Sequence, residues 1–285
     1  MPQLSHEGAS LLYSRTGLGP PVLMIQGAGV VGEGWRPQVE ALAADFALLS
    51  FDNRGIGSST LEGGELTLEA MAADARAILD AEGIEFCHVV GHSMGGLIAQ
   101  QLALDAPQRV RSLALLCTFH RGPEAASINA GMLWTALRMR IGTRPMRRRA
   151  FLELVFPPSY LRTVDRARLA ADLAPLFGHD LASQPAVVLR QVRAMARHDI
   201  SDRLAELAAI PTLVVSATED RIARPEYGRA LAAAIPGASY VEIPGAGHAV
   251  TLQDPARINA LLREHWALPR KNPLPPSPGH IPRPR

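Results

Sequence analysis

Residues 88–100 read H-V-V-G-H-S-M-G-G-L-I-A-Q, and this stretch constrains the chain more than any other. Val89 and Val90 end a β-type run, the next five residues spell G-H-S-M-G, and Leu97, Ile98 and Gln100 open a helical pattern. Strand, tight turn and helix in immediate succession place Ser93 at the apex of a sharp corner. A serine there takes a strained backbone conformation, with the residues two before and two after it pressed together. Gly91 and Gly95 bring no Cβ to that crowded point. The helix that follows aims its first N–H groups at the same spot, where they can stabilise an oxyanion. The string G-x-S-x-G arises by chance about once in ten chains of this composition, so alone it leaves open a glycine-rich turn with an exposed serine. Its company decides.

That company is a regular rhythm. Short strand patterns fall at 10–16, 21–26, 46–51, 86–90 and 110–117, with helical patterns between them from Trp35 to about Ala44, over 67–82 and from the Ser93 corner to Asp105. The run V-L-M-I at 22–25 is apolar throughout, as a strand buried on both faces requires. Thr67 reads as a helix N-cap and Gly83 as the residue just past that helix's end. From about His120 to Leu207 no strand pattern occurs, only helical periodicity broken by prolines. The rhythm resumes with strands at 212–217 and 239–243 and a last helix over 255–268. The pattern predicts an α/β chain with a doubly wound, mostly parallel sheet. Residues 1–120 and 208–268 form its core, and 121–207 are a helical cap inserted over the strands' carboxyl ends. Residues 269–285 hold seven prolines without periodicity and read as a disordered tail.

Composition narrows the chemistry. The one lysine, Lys271, lies in the proline-rich tail, and the other 28 of the 29 basic residues are arginines. Schiff-base, PLP and P-loop chemistry all need a lysine in the core and are excluded. A net charge of +2 leaves no global nucleic-acid footprint. No apolar run is long enough to span a membrane, and the polar residues 1–8 lack the apolar segment of a secretory signal. Cys87 and Cys117 fall in buried-strand patterns and read as reduced thiols of a cytoplasmic protein, with no metal spacing. The expectation is therefore a small-molecule substrate and no metal, cofactor, nucleic-acid or membrane partner. No motif specifies an oligomeric state.

A nucleophilic serine needs a base, and the base an orienting carboxylate. Of nine histidines, His248 has the best setting, in a P-G-A-G-H loop directly after the 239–243 strand. T-E-D follows the 212–217 strand, which makes Asp220 the acid and Glu219 its rival. Ser93, Asp220 and His248 each lie just beyond a strand, where catalytic groups of open α/β sheets collect. For the oxyanion, Met94 supplies one backbone N–H, and Ala28 in the loop Gln26-Gly27-Ala28-Gly29 the other.

Q-G-A-G, D-N-R-G-I-G-S-S, G-H-S-M-G-G, T-E-D-R and P-G-A-G-H together resemble the α/β-hydrolase fold superfamily. The likeness is greatest to its cytoplasmic esterases, enol-lactonases and carbon–carbon-bond hydrolases, and covers about residues 8–120 and 208–268. It implies an eight-stranded, mostly parallel sheet with one early antiparallel strand, a helical cap after strand six, and a serine hydrolase. Gln26 stands where such proteins usually carry histidine. Cleavage of a carboxylic ester, lactone or thioester is the first reading. A carbon–carbon hydrolase acting on a ring-cleavage diketone and a non-catalytic receptor of the same fold are the alternatives. Asp52, Asn53 and Arg54 read as a structural turn, and the six arginines of 138–149 as a solvated helix face or an anion site. Leu133, Trp134, Leu137 and Met139 have helical spacing and read first as packing within the cap. Gly29, His92, Trp134 and Leu137 are the candidate pocket residues, the last two because a cap's inner face roofs the pocket.

Overall fold

The computed structural model describes residues 1–63, 66–122, 134–135 and 137–268. The proposed tail 269–285, Lys271 and Leu133 lie outside the described residues. In chain order the strands are β1 (Gln3–His6), β2 (Ala9–Thr16), β3 (Pro21–Ile25), β4 (Ala47–Phe51), β5 (Thr60–Leu61), β6 (Cys87–His92), β7 (Val110–Leu116), β8 (Thr212–Ala217) and β9 (Ser239–Ile243). Helices α1 (Arg36–Leu42), α2 (Leu68–Ala81) and α3 (Met94–Asp105) alternate with the early strands. Helices α4 (Arg144–Val155), α5 (Pro158–Leu161), α6 (Arg166–Phe177) and α7 (Val187–Arg197) lie between β7 and β8. Then come α8 (Pro225–Ala234), α9 (Val250–Gln253) and α10 (Pro255–Trp266).

The sheet runs β1-β2-β4-β3-β6-β7-β8-β9, and the two-residue β5 pairs with β2 as a ninth strand beyond the expected eight. From β4 through β9 every pairing is parallel. β2 runs antiparallel to β1, β4 and β5, so it is the one strand that runs against all the others, as expected. The central strands β3, β6 and β8 are buried at every position but Pro21, in keeping with their mostly apolar sequences. Helix α3 is buried from Met94 to Leu104, so it sits under the sheet's centre rather than at its surface. Helix α2 starts where Thr67 Oγ1 accepts the Ala70 N–H at 3.1 Å, and Gly83 follows its end at φ 63°. No helix among the described residues is long and apolar enough to cross a membrane.

The chain enters and leaves the β7–β8 insert at one neck. Arg121 and Asp199 form an isolated antiparallel bridge there, with Gly122 N–H donating to the His198 carbonyl at 2.6 Å. The insert has its own apolar cluster around Phe151, Leu152, Phe156, Leu173 and Phe177. Val30, Ile222 and Ala249, on loops past the strands' carboxyl ends, and Leu252 of the short helix α9 join that cluster. The insert is thereby packed over the edge of the sheet where Gln26, Ser93, Asp220 and His248 emerge.

Candidate active site

Ser93 leaves β6 at φ 55° and ψ −122° and opens α3. The conformation is left-handed and unfavourable for a residue with a side chain. It is held by three bonds: Ser93 N–H donates to the Leu116 carbonyl at 2.9 Å, and its own carbonyl accepts from Gly96 N–H at 2.9 Å and from Thr118 Oγ1 at 2.8 Å. A Cβ on Gly91 would stand 2.2 Å from the Gly95 carbonyl oxygen, and one on Gly95 would stand 2.0 Å from that of Ile25. Both contacts are to backbone, so only glycine fits.

Three side chains form a hydrogen-bonded row at this corner. His248 Nδ1 lies 2.7 Å from Asp220 Oδ2, and His248 Nε2 lies 2.9 Å from Ser93 Oγ. A carboxylate only accepts, so Nδ1 carries the hydrogen and Nε2 of the neutral ring accepts from the serine hydroxyl. Asp220 is fixed in turn, its Oδ1 accepting the backbone N–H groups of Ile222 at 2.7 Å and Ala223 at 3.0 Å. All three residues are buried. A hydroxyl in such a row can pass its proton to the imidazole as its oxygen attacks an electrophile.

Two further groups press on the row. His92 Nε2–H donates to the His248 carbonyl at 2.8 Å, fixing the backbone of the base. Burial, and then the neighbouring His248, push the His92 pKa down to about 4, so the ring is neutral at neutral pH. Cys117, just beyond β7 at φ 46°, is fully buried beside Asp220. Burial first, and then the Asp220 carboxylate, hold its thiol well above the ordinary range. It is thus an unionised neighbour of the acid.

The loop after β3 packs on Ser93: a Cβ on Gly27 would meet the serine Cβ at 3.1 Å. Gln26 turns its Oε1 to the Gly27 N–H at 3.2 Å, and its carbonyl accepts from Asn53 Nδ2 at 3.0 Å. The glutamine therefore serves as a local brace for the loop. Among the described residues Ala28 N–H has no hydrogen-bond partner, and Met94 N–H, at the first turn of α3, has no intrahelical one. A cavity of about 870 Å³ opens on Ser93 and His248, with Ala28 and His92 in its wall. The insert supplies much of the remainder, including Met139, Phe151, Leu154, Val188 and Val192.

A model of the alpha/beta hydrolase fold family matches residues 20–255 of this sequence. The chain belongs to that family. Over 92% of its length it is 32% identical to a protein of Azorhizobium caulinodans named as a carbamate hydrolase, RutD, covering 97% of that relative. The enol-lactonase from Burkholderia xenovorans LB400 superposes with a TM-score of 0.78 at 27% identity, over 93% of this chain and 99% of that one. A thermophilic esterase from Thermogutta terrifontis gives 0.74 at 30% identity, over 90% and 92%.

In this α/β hydrolase the sequence-read residues divide. Ser93, Asp220 and His248 come together, while the rival Glu219 is exposed and faces Ser159 at 3.4 Å. His92 lines the cavity, but Gly29 does not. Trp134 and Leu137 do not line it either: they are 59% and 44% exposed, and Met139, Arg140 and Arg147 take the wall instead. Helical spacing groups side chains without saying which turn inward, and here Trp134 and Leu137 turn to solvent while Met139 packs on the insert's apolar cluster. The D-N-R turn is structural, as expected. Asp52 accepts from Gly32 and Ser58 backbone N–H groups at 2.8 and 3.0 Å, and the buried Arg54 pairs with Asp74 at 2.6 and 2.7 Å.

Two residues of the insert escaped the sequence reading. Gln191, fully buried on α7, accepts the Gly29 N–H at 3.0 Å, and His179 Nε2 bonds the Gly29 carbonyl at 3.1 Å. Together they clamp both polar groups of the residue after Ala28. Each has the look of an ordinary polar residue in a helical region, so no local signal marks it.

Proposed function

We propose that this α/β hydrolase cleaves a carboxylic ester of a small molecule, or an activated relative such as a lactone or thioester, through an acyl-enzyme on Ser93. The observation that carries this reading is the continuous Asp220–His248–Ser93 row opening on the cavity. Ser93 Oγ attacks the substrate carbonyl while His248 Nε2 takes its proton. Asp220 stabilises the resulting imidazolium, and the Ala28 and Met94 N–H groups receive the developing oxyanion. Each such donor contributes about 3 kcal/mol to the transition state. The imidazolium protonates the leaving oxygen or sulfur, and water activated by His248 then releases the acid. The likeness to proteins named as an esterase, an enol-lactonase and a carbamate hydrolase supports chemistry at an acyl carbon carrying a heteroatom. No group in this sequence of steps requires a cofactor.

Turnover of an activated aryl ester by Ser93→Ala is expected to be at least about 10⁴-fold below wild type. An organophosphonate should label the wild-type protein at Ser93 and leave the variant untouched. Near-wild-type turnover in the variant would overturn the mechanism, and a folded wild-type protein that resists the reagent would favour a receptor of the same fold.

A further inference from the structure

The six arginines between 138 and 149 sort into two groups. Four are matched to acids within the insert. Arg138 and Arg149 each reach Glu153 at 2.8 Å, Arg148 holds Asp180 with two bonds of 2.7 and 2.8 Å, and Arg144 approaches Asp180 at 3.9 Å. Hydrogen bonds from Arg148 hold the Asp180 carboxyl well below the usual carboxylate range. The other two, Arg140 and Arg147, have no carboxylate partner among the described residues, and these two line the cavity. The Nε of Arg147 is buried and has no hydrogen-bond partner among the described residues. Among the described residues no aspartate or glutamate lines the cavity.

A guanidinium stays charged at any working pH and carries five donors, so a half-buried one without a partner is costly. The same short run satisfies its other four arginines, which places the exception at the cavity. The cavity that these arginines share with the polar corner at Ser93 is otherwise largely apolar, with Phe151, Leu154, Val188 and Val192 in its walls. A complementary occupant has three parts: an acyl carbon at Ser93, an apolar spacer, and an anion at Arg147 and Arg140. A carboxylate suits the last position better than a phosphate dianion, because a single charge loses less hydration on entering an apolar chamber, and its two oxygens match the guanidinium fork.

Resting on the serine-hydrolase reading, we infer that the substrate is an acid as well as an ester: its acyl portion carries a free carboxylate at the far end of an apolar spacer, bound by Arg147 with Arg140.

Binding to Ser93→Ala measured by calorimetry tests this whether or not hydrolysis follows. The probes are methyl monoesters of linear dicarboxylic acids of roughly six to ten carbons, each paired with the methyl ester of the matching alkanoic acid. At the best length the monoanion should bind at least about tenfold tighter than its neutral partner, which corresponds to about 1.4 kcal/mol. Added salt should erode that preference. Introducing Arg147→Gln into Ser93→Ala should bring the ratio towards one, and Arg140→Gln, at an exposed position that folding tolerates, should lower it. Arg144→Gln, whose guanidinium faces Asp180, should leave the ratio intact. Equal affinities for charged and neutral esters at every length would overturn the inference, as would a preference surviving both cavity-arginine substitutions. Wild-type turnover of neutral esters without charge preference would defeat this inference alone. Selective binding of the monoanion with no Ser93-dependent turnover of any ester would instead defeat the serine-hydrolase reading.

Discussion

The two oxygens of the Asp220 carboxylate face different donors: Oδ1 takes the Ile222 and Ala223 backbone N–H groups, and Oδ2 takes His248 Nδ1–H. An asparagine in this place could satisfy the two backbone donors only with its carbonyl oxygen. Its NH₂ would then point at the imidazole and demand an acceptor at Nδ1. The ring would be driven to the tautomer with hydrogen on Nε2, which cannot take a proton from Ser93. Asp220→Asn should therefore fold with a thermal midpoint close to wild type yet lose roughly 10³–10⁴-fold in kcat on an aryl ester. Steady-state kinetics beside a melting curve check this, and a variant retaining more than about a tenth of the activity would show that the tautomer argument is wrong. The identities of Ser93, Asp220 and His248 were legible because each follows an apolar β-type run, and strand ends locate side chains well. The choice of Asp220 over Glu219 rests on one residue of phase in a turn, and the bonds of Asp220 to His248, Ile222 and Ala223 show which carboxylate turns inward.

At the scale of elements, α7 reaches across the cavity to the loop after β3. Gln191 and His179 bond the N–H and carbonyl of Gly29, and Val188 stands where any Cβ on that glycine would go, at 2.9 Å. The insert thus sets the position of Ala28, whose N–H is the proposed oxyanion donor. Gln191→Met keeps the side chain's bulk but removes the acceptor, leaving a buried N–H unpaired at a cost of about 1–3 kcal/mol unless the loop moves. If the loop moves, kcat for an ester should fall by about tenfold or more with a smaller change in KM. A lowered melting temperature with unchanged kcat per folded molecule would show that Gln191 serves stability alone. None of this coupling was readable beforehand. Periodicity located β3, β6 and β8, because β3 is apolar throughout and β6 and β8 carry the apolar runs Val89-Val90 and Leu213-Val214-Val215, and Thr67 marked the start of α2. The edge strands β1 and β5 are short and partly exposed, so they leave no apolar run to detect. Trp134 and Leu137 misled for a related reason: large apolar side chains at helical spacing ordinarily face a core, and these two do not.

Across the whole molecule, three buried histidines make folding sensitive to acid. Burial is the leading cause in each case, pushing His88 down to about 3 and His92 and His265 to about 4. They lie along the central strands: His88 and His92 on β6, and His265 on α10 with its Nε2–H donating to the Leu113 carbonyl of β7 at 3.0 Å. Above about pH 6.5 all three are neutral folded or unfolded, and their contribution is complete. As pH falls below that value the unfolded chain takes up protons that the folded chain refuses, so stability drops until the folded-state values near 4 and 3 are passed. Each such group tilts unfolding free energy by about 1.4 kcal/mol per pH unit, and three together by about 4. Urea unfolding between about pH 6 and 4.5 should show this steep decline. His88→Gln removes one titrating group and can still hydrogen-bond Ser112, the 2.8 Å partner of His88 Nδ1. Its stability curve against pH should be shallower than wild type by about 1.4 kcal/mol per unit, so that the two converge as the solution is acidified. Mere loss of packing would lower the curve without changing its slope, and two parallel curves would show that His88 is not held neutral by the fold.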